Sequence, residues 1–195
     1  MLLQARGMEL ARRAAALYRV GRAPKATDQI AVLGPLQGWT VSGNDVLARV
    51  QRIEDIQAVA DVKAAYCNAA DGGWDRPSHD AEAVAELFVA DGVWDGGTFG
   101  RADGRDAIRH LFEGFGRFPF AFHCISNPII RVDGDIAHGQ WHANIAITLG
   151  GDRSHAMGAI YDDTFERTDA GWKLRHLRAI PVYGVKVPAG FRVGP

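Results

Sequence analysis

Apolar side chains recur every three or four residues along a stretch that begins near residue 45. They are Leu47, Val50, Ile53, Ile56, Val59, Val62 and Tyr66. This spacing puts them on one face of a helix, and Asn44 can cap its first turn. Asp71, Gly72 and Gly73 end the run. The pattern therefore predicts a long helix that finishes at this turn.

Three shorter elements are predicted next. Residues 81–89, AEAVAELFV, favour a second helix from about Ala81 to Val89, with Ser78 or Asp80 as its cap. Residues 91–97, DGVWDGG, indicate a short strand between turns. Residues 104–115, GRDAIRHLFEGF, indicate a third helix.

Four strand-like runs make up most of the remaining chain. They cover residues 121–132, 135–149, 154–168 and 172–184, and the short turns DGD, GGD and DAG separate them. Helices followed by an antiparallel meander predict the α+β class. We expect a strongly curved, mostly antiparallel sheet that wraps around the long first helix and encloses a pocket.

The first 44 residues differ from the rest of the chain. They have no sustained period, are broken by Gly and Pro, and carry six basic residues against two acidic ones. We expect residues 1–44 to be a loosely ordered extension and residues 45–195 to form a single domain. An ordered arm that packs on a neighbouring subunit is the alternative.

Composition excludes several classes of function. The 195 residues carry a formal net charge of -1, which gives no electrostatic case for binding nucleic acid or an anionic membrane. No apolar run approaches the length of a membrane helix. Two cysteines, Cys67 and Cys124, are too few for a disulfide scaffold and fit the cytoplasm. Motifs for phosphate, zinc or serine chemistry are absent, so we expect no cofactor and no metal.

Asp71 and His123 are the main candidates for catalysis. Asp71 follows an apolar helix and precedes two glycines, so it is either a turn residue or an acid at the mouth of the pocket. His123 lies in the otherwise apolar run FAFHCISNPII and is either a core histidine or a functional one. A buried carboxylate bonded to an imidazole would fix the tautomer of the ring and make it a general base.

Other side chains are placed by strand alternation. Asn127 is four residues beyond His123 and should share its face, where it can orient a substrate carbonyl or bond the backbone. On the next predicted strand, His142 and Asn144 should lie on the outward face. Expected on inward, apolar faces are Trp141, Ala143 and Ile145 on one strand, and Tyr161, Asp163 and Phe165 on the next, with Trp94 and Phe99 near the short strand.

Several segments in this order resemble the SnoaL-like family of the nuclear transport factor 2-like superfamily. They are LFVADGVWDGG, GRDAIRHLF, FHCISNPIIRVDGDIAHGQW and GAIYDDTFERTDAGWKL, and the likeness spans about residues 45–183. The superfamily includes scytalone dehydratase, bile-acid 7α-dehydratase, hexachlorocyclohexane dehydrochlorinase and, more distantly, ketosteroid isomerase. The resemblance implies a cone-shaped α+β barrel.

The resemblance also implies roles for particular residues. The acid and histidine of the dehydratases fall on Asp71 and His123, and a tyrosine of the bile-acid enzyme falls on Tyr66. A further acid of that enzyme falls on Ile145, so a second acid is missing here. We expect substrate contacts from Trp94, Asn127, Trp141, Ile145 and Tyr161.

The expected function is that of a cofactor-independent lyase. His123 would remove a proton and a leaving group would depart from a small hydrophobic cyclic substrate, such as a steroid, polyketide or aromatic intermediate. The alternatives are a ketosteroid-isomerase-like isomerase, a ligand-binding protein, or the small subunit of a ring-hydroxylating oxygenase. Because the resembled dehydratases are commonly trimers, we expect a homo-oligomer, a trimer before a dimer.

Overall fold

The long first helix, α1, runs from Gly43 to Ala70 and confirms the sequence prediction. The computed structural model describes residues 43–73, 79–150, 153–188 and 190–191, so the predicted extension lies almost wholly outside the described residues. Val59, Tyr66 and Ala70 are buried in the C-terminal half of α1, which packs against the sheet. Nearer its start, Leu47 and Ile53 are exposed.

The second helix is shorter than predicted. Helix α2 spans Ala81–Glu86, and the Asp80 side chain caps it by accepting a hydrogen bond from the Ala83 N–H at 3.0 Å. The expectation that it reaches Val89 is wrong, because strand β1 already begins at Phe88 and extends to Asp95. Phe88 and Val89 are buried as strand residues, so the apolar pattern at these positions belongs to the sheet and not to the helix.

A short strand that the sequence did not reveal follows β1. A single 3₁₀ turn at Gly97–Phe99 leads into β2, Arg101–Asp103, which pairs antiparallel with β1. Helix α3 then covers Arg105–Phe115, as predicted, and buries Ile108 and Phe112.

The four predicted long strands are all present. They are β3, Phe120–Asp133; β4, Ile136–Thr148; β5, Ser154–Thr168; and β6, Gly171–Lys186. Together with β1 and β2 they form a six-stranded sheet in the order β2-β1-β6-β5-β4-β3. Only the β1–β6 pair among these is parallel, so the sheet is mixed.

The architecture belongs to the predicted α+β class: a long helix, two shorter ones and a sheet. The main core lies between the helices and one sheet face, where Trp141, Phe165, Leu174 and Leu177 are buried. Within the described ranges, every helix is too short or too polar to cross a membrane.

Candidate active site

Asp71 and His123 meet at the junction of α1 and β3. The Asp71 Oδ1 atom lies 2.6 Å from Nδ1 of the His123 ring and also accepts the backbone N–H of His123 at 2.9 Å. The Asp71 side chain is 5% exposed and that of His123 is 11% exposed. Two residues that are 52 positions apart in the chain therefore form one sheltered acid–imidazole pair.

The turn after α1 brings this pair together. Gly72 and Ala121 exchange backbone hydrogen bonds of 3.0 and 3.1 Å, so the end of α1 is tied to the start of β3 two residues before His123. Gly73 has φ of 97°, and a Cβ there would lie 2.0 Å from the Pro119 carbonyl oxygen. The glycine turn that made Asp71 look like a simple turn residue is thus what brings its carboxylate to His123.

The contact determines which nitrogen of His123 is free. A carboxylate can only accept, so Nδ1 carries the hydrogen, and in the neutral form of the ring the lone pair is on Nε2. Asp71 is not among the residues that line the neighbouring cavity, whereas the His123 ring is. An imidazole held in this way can accept a proton from a bound molecule at Nε2, and the carboxylate stabilises the resulting imidazolium.

The cavity beside His123 has a volume of about 100 Å³. Aromatic side chains from α3, the loop after it and β1 form one wall, among them Trp94, Phe112, Phe115 and Phe118. Cavities of about 150 Å³ hold a single aromatic ring in other proteins. The cavity is smaller than this, so its size limits a ligand to one small ring, and its largely apolar lining suits such a compound.

Tyr66 contributes a hydroxyl to this lining. The hydroxyl oxygen accepts a hydrogen bond from the indole Nε1 of Trp94 at 2.9 Å, and the Tyr66 ring lies 6.4 Å from that of His123. Burial raises the pKa of Tyr66 far above its usual value, and hydrogen bonds from Trp94 and Tyr161 oppose this only in part. Tyr66 is therefore neutral at ordinary pH and keeps its own proton to donate.

A buried ion pair lies beneath these tyrosines, and the sequence reasoning missed one half of it. The Lys63 Nζ atom is 2.8 Å from Asp163 Oδ2, and both side chains are fully buried. The two groups are poorly aligned for a hydrogen bond, so their attraction is mainly ionic. Nζ also lies 3.2 Å from the centre of the Tyr161 ring. The signal that could have revealed Lys63 was Asp163, an acid on a predicted inward face that required a partner.

Burial also affects the acid of this pair. It raises the pKa of Asp163, while the Lys63 ammonium and the Arg178 backbone N–H, which donates to Oδ1 at 3.2 Å, act in the opposite direction. The pair lies outside the cavity lining, but Lys63 contacts two lining residues, Tyr66 and Tyr161.

Two predicted substrate contacts lie elsewhere. Asn127 was expected to share the face of His123, but the β3–β4 register shifts between Ser126 and Ile129 and Asn127 adopts φ of 53°. It is exposed and lies 3.2 Å from the ring Nδ1 of His142. The expectation for Asn127 is therefore wrong, because a bulge reverses the alternation of the strand.

Trp141 is also absent from the cavity lining, although it is buried on the predicted face. It packs deeper in the core, against Phe165 at 5.9 Å between ring centres and near Lys63. The remaining predicted contacts, Trp94, Ile145 and Tyr161, do line the cavity. His79 lines it as well and was not anticipated from the sequence.

Among the described residues, no group of three or more His, Cys, Asp or Glu side chains is placed to hold a metal ion. The polar groups at the cavity are those of general acid–base chemistry.

The fold and the sequence agree with one family. The sequence profile of the SnoaL-like domain matches residues 51–178, so the chain belongs to the SnoaL-like family. An uncharacterised protein of Mycobacterium tuberculosis is 34% identical over 92 residues, which make up 45% of this chain. The chain spans about 63% of the length of the curated relatives that it matches.

Solved structures support the same fold. A type 2 hexachlorocyclohexane dehydrochlorinase has a TM-score of 0.65 at 19% identity, covering 75% of this chain and 97% of that one. A nuclear transport factor 2-like protein with a cystatin-like fold from Novosphingobium aromaticivorans has a TM-score of 0.55 at 28% identity, covering 73% and 90%. The predicted family resemblance is thereby confirmed.

Proposed function

We propose that the protein is a cofactor-independent lyase that eliminates water or another leaving group from a small hydrophobic ring compound. The observation that carries this proposal is the 2.6 Å contact between Asp71 Oδ1 and His123 Nδ1 beside an apolar cavity. A hexachlorocyclohexane dehydrochlorinase, an enzyme named for an elimination, is among the structures of the same fold.

In the proposed reaction His123 is the general base. Its Nε2 takes a proton from a substrate carbon, and the electron pair of that C–H bond forms the new double bond. The bond from the adjacent carbon to the leaving group breaks, and the leaving group departs with the electrons. The imidazolium, stabilised by Asp71, then returns its proton to solvent or to the leaving group.

Tyr66 is the proposed hydrogen-bond donor to the leaving oxygen or to a developing enolate. The Tyr66 oxygen accepts a hydrogen bond from Trp94, so the hydroxyl proton of Tyr66 is left to donate to a ligand. Ile145 lies where the bile-acid dehydratase is expected to carry a second acid. The elimination therefore depends on one base and on neutral donors.

The cavity supports the proposed substrate class. Its volume of about 100 Å³ favours a single-ring compound over a steroid. Trp94, Ile145 and Tyr161 are the proposed apolar contacts, and the aromatic wall suits a flat or cyclic substrate.

The proposal also covers the shape of the sheet, the assembly and the cell compartment. We propose that the sheet curves around α1 as a cone, which bulges in β3 and β6 would assist. A homotrimer is the proposed assembly. The free cysteines Cys67 and Cys124 suit a reducing cytoplasm.

Product mass tests the reaction class directly. The protein is incubated with a panel of single-ring alcohols and halides, and products are analysed by mass spectrometry. A product lighter by one molecule of water or hydrogen halide, formed by wild type but not by His123→Ala, is expected. An unchanged mass with a shifted double bond would instead identify an isomerase, and binding without turnover would identify a ligand-binding protein.

A further inference from the structure

His79 brings a second imidazole to the cavity. It follows Asp71 by eight residues and precedes α2, and it lines the cavity together with His123. Three aromatic rings surround it: Phe112, Phe115 and Phe118 lie 6.1, 6.0 and 5.9 Å from its ring centre. A polar ring thus lies in the most aromatic part of the wall.

Within the part of the chain that the structure describes, the ring nitrogens of His79 are unpaired. Both Nδ1 and Nε2 are buried and neither has a hydrogen bond with any described residue. The Ala70 carbonyl is close enough to affect the ring, but it is not in hydrogen-bonding geometry. Buried polar atoms in folded proteins nearly always have partners, because the lost contact with water is otherwise not replaced.

The surroundings also determine the charge of this ring. Burial lowers the pKa of His79, and the Ala70 carbonyl and the Asp71 carboxylate oppose this only in part. A neutral imidazole has one donor and one acceptor nitrogen. It can therefore bind a hydroxyl or carbonyl group without placing a charge in an apolar cavity.

We propose that His79 is the second polar contact for the ligand and selects ring compounds that carry an oxygen substituent. This inference rests on the proposed function, because it takes the cavity as the substrate site. His123 would face the carbon that loses its proton, while His79 would bind a hydroxyl or carbonyl oxygen on the same ring. A site with a buried polar group discriminates against an analogue that leaves this group unpaired.

A matched pair of probes tests the proposal without a known substrate. 4-Chlorophenol and 4-chlorotoluene differ only in a hydroxyl for a methyl, and their dissociation constants are measured by calorimetry. Wild type should bind the phenol about fivefold more tightly, the worth of one hydrogen bond. His79→Phe should remove most of this preference and leave the affinity for 4-chlorotoluene nearly unchanged.

Two variants control the comparison. His123→Phe should retain the preference, since the oxygen contact is assigned to His79. His110→Phe, at an exposed histidine of α3, should behave as wild type. An unchanged preference in His79→Phe would overturn the proposal, as would a wild type that does not distinguish the probes or a preference that disappears in His123→Phe alone.

A second measurement covers the case in which His79→Phe does not fold. In the wild-type protein, the ring ¹⁵N signals of His79 should shift with 4-chlorophenol and much less with 4-chlorotoluene. Equal shifts with both probes would contradict the assignment. A negative result in these binding experiments would refute the role of His79 but not that of His123 as a base. The role of His123 is tested separately, by whether His123→Ala loses the elimination product.

Discussion

Oδ1 of Asp71 accepts both from the ring Nδ1 of His123 and from the backbone N–H of the same residue. The carboxylate is therefore fixed relative to the strand as well as to the ring. Neither contact is to solvent, and the pair stays sheltered while the other ring nitrogen remains available. An acid that only terminated a helix would not require this arrangement.

Asp71→Asn should lower turnover by about 10⁴-fold, because the amide no longer stabilises an imidazolium and can favour the wrong tautomer. Folding should change little, since the side chains have nearly equal volume. Once a substrate is identified, kcat is compared between wild type and variant, with thermal melting as the check on folding. Asp106→Asn, at an exposed acid on α3, is the matched control. Equal loss of activity in the control, or none in Asp71→Asn, would contradict this role.

Lys63 and Asp163 permit a separate prediction about stability. Lys63→Met leaves a buried carboxylate without its cation, which costs about 3–5 kcal/mol in comparable pairs. Adding Asp163→Asn removes the charge but keeps an acceptor for the Arg178 N–H, so the double variant should recover much of this loss. Urea unfolding measures both. A double variant less stable than Lys63→Met alone would show that the pair is not the cause.

The candidate site was predictable only in part. Asp71 and His123 could be paired because a carboxylate and an imidazole together make a general base, and because the resemblance to the SnoaL-like family places its acid and histidine on these two residues. The burial of Lys63, by contrast, could not be predicted, because a lysine in a helix normally lies on the solvent-exposed face. His79 lies outside any periodic segment, so no pattern could assign it to the cavity.

At the scale of elements, a polar cluster fastens α1 to the sheet. Arg167 of β5 donates two hydrogen bonds of 2.8 Å to the two oxygens of Asp55, and Trp172 of β6 donates a third at 3.2 Å. The Arg167 guanidinium also lies 4.4 Å from the centre of the Trp172 ring. The middle of α1 is thus held to two strands by a bidentate ion pair.

This cluster predicts a pH dependence. Hydrogen bonding from Arg167 lowers the pKa of Asp55 from 3.8 to about 2, although burial opposes this. A pKa lowered by folding stabilises the folded state above the unfolded value, and this stabilisation is lost as pH falls. The melting temperature of wild type should therefore exceed that of Asp55→Asn above about pH 4, and the gap should close towards pH 2. Asp61→Asn, at an exposed acid on α1, should show no such change. A difference in melting temperature between wild type and Asp55→Asn that does not change with pH would rule out this explanation.

Most elements followed from periodicity, and the exceptions have physical reasons. Helix α1 and the strands β3 to β6 are long enough for their repeats to be unambiguous. Leu87, Phe88 and Val89 continue a helical repeat but are also typical of a strand, so the α2 boundary was misplaced. The parallel pairing of β1 with β6 is a long-range choice that local patterns do not encode, and the bulge at Asn127 depends on a single positive φ.

At the scale of the whole molecule, Gly43–Pro195 forms one compact unit. A chain that starts at Gly43 should therefore melt cooperatively and close to the melting temperature of the full chain. Calorimetry of both chains measures this. Loss of folded protein on removing residues 1–42 would favour the alternative that they act as an arm on a neighbouring subunit.

Assembly is the second prediction at this scale. Strands β3 and β6 expose several large apolar side chains, including Ile129, Val182 and Val185, which are 56%, 62% and 54% exposed. Surfaces of this kind often serve as contacts between subunits. We expect light scattering to give three times the chain mass of 21.1 kDa. The mass of a single chain at working concentration would contradict any homo-oligomer.

The central claim is that Asp71 holds His123 as a base with a free Nε2 at the cavity, and ¹⁵N NMR of the imidazoles tests it most directly. The chain has seven histidines, and His123→Gln assigns the signal. We expect the neutral His123 ring to carry its proton on Nδ1, protected from exchange, and its lone pair on Nε2. In Asp71→Asn this protection should be lost. A His123 ring whose proton sits on Nε2, or whose spectrum is the same in Asp71→Asn, would contradict the account.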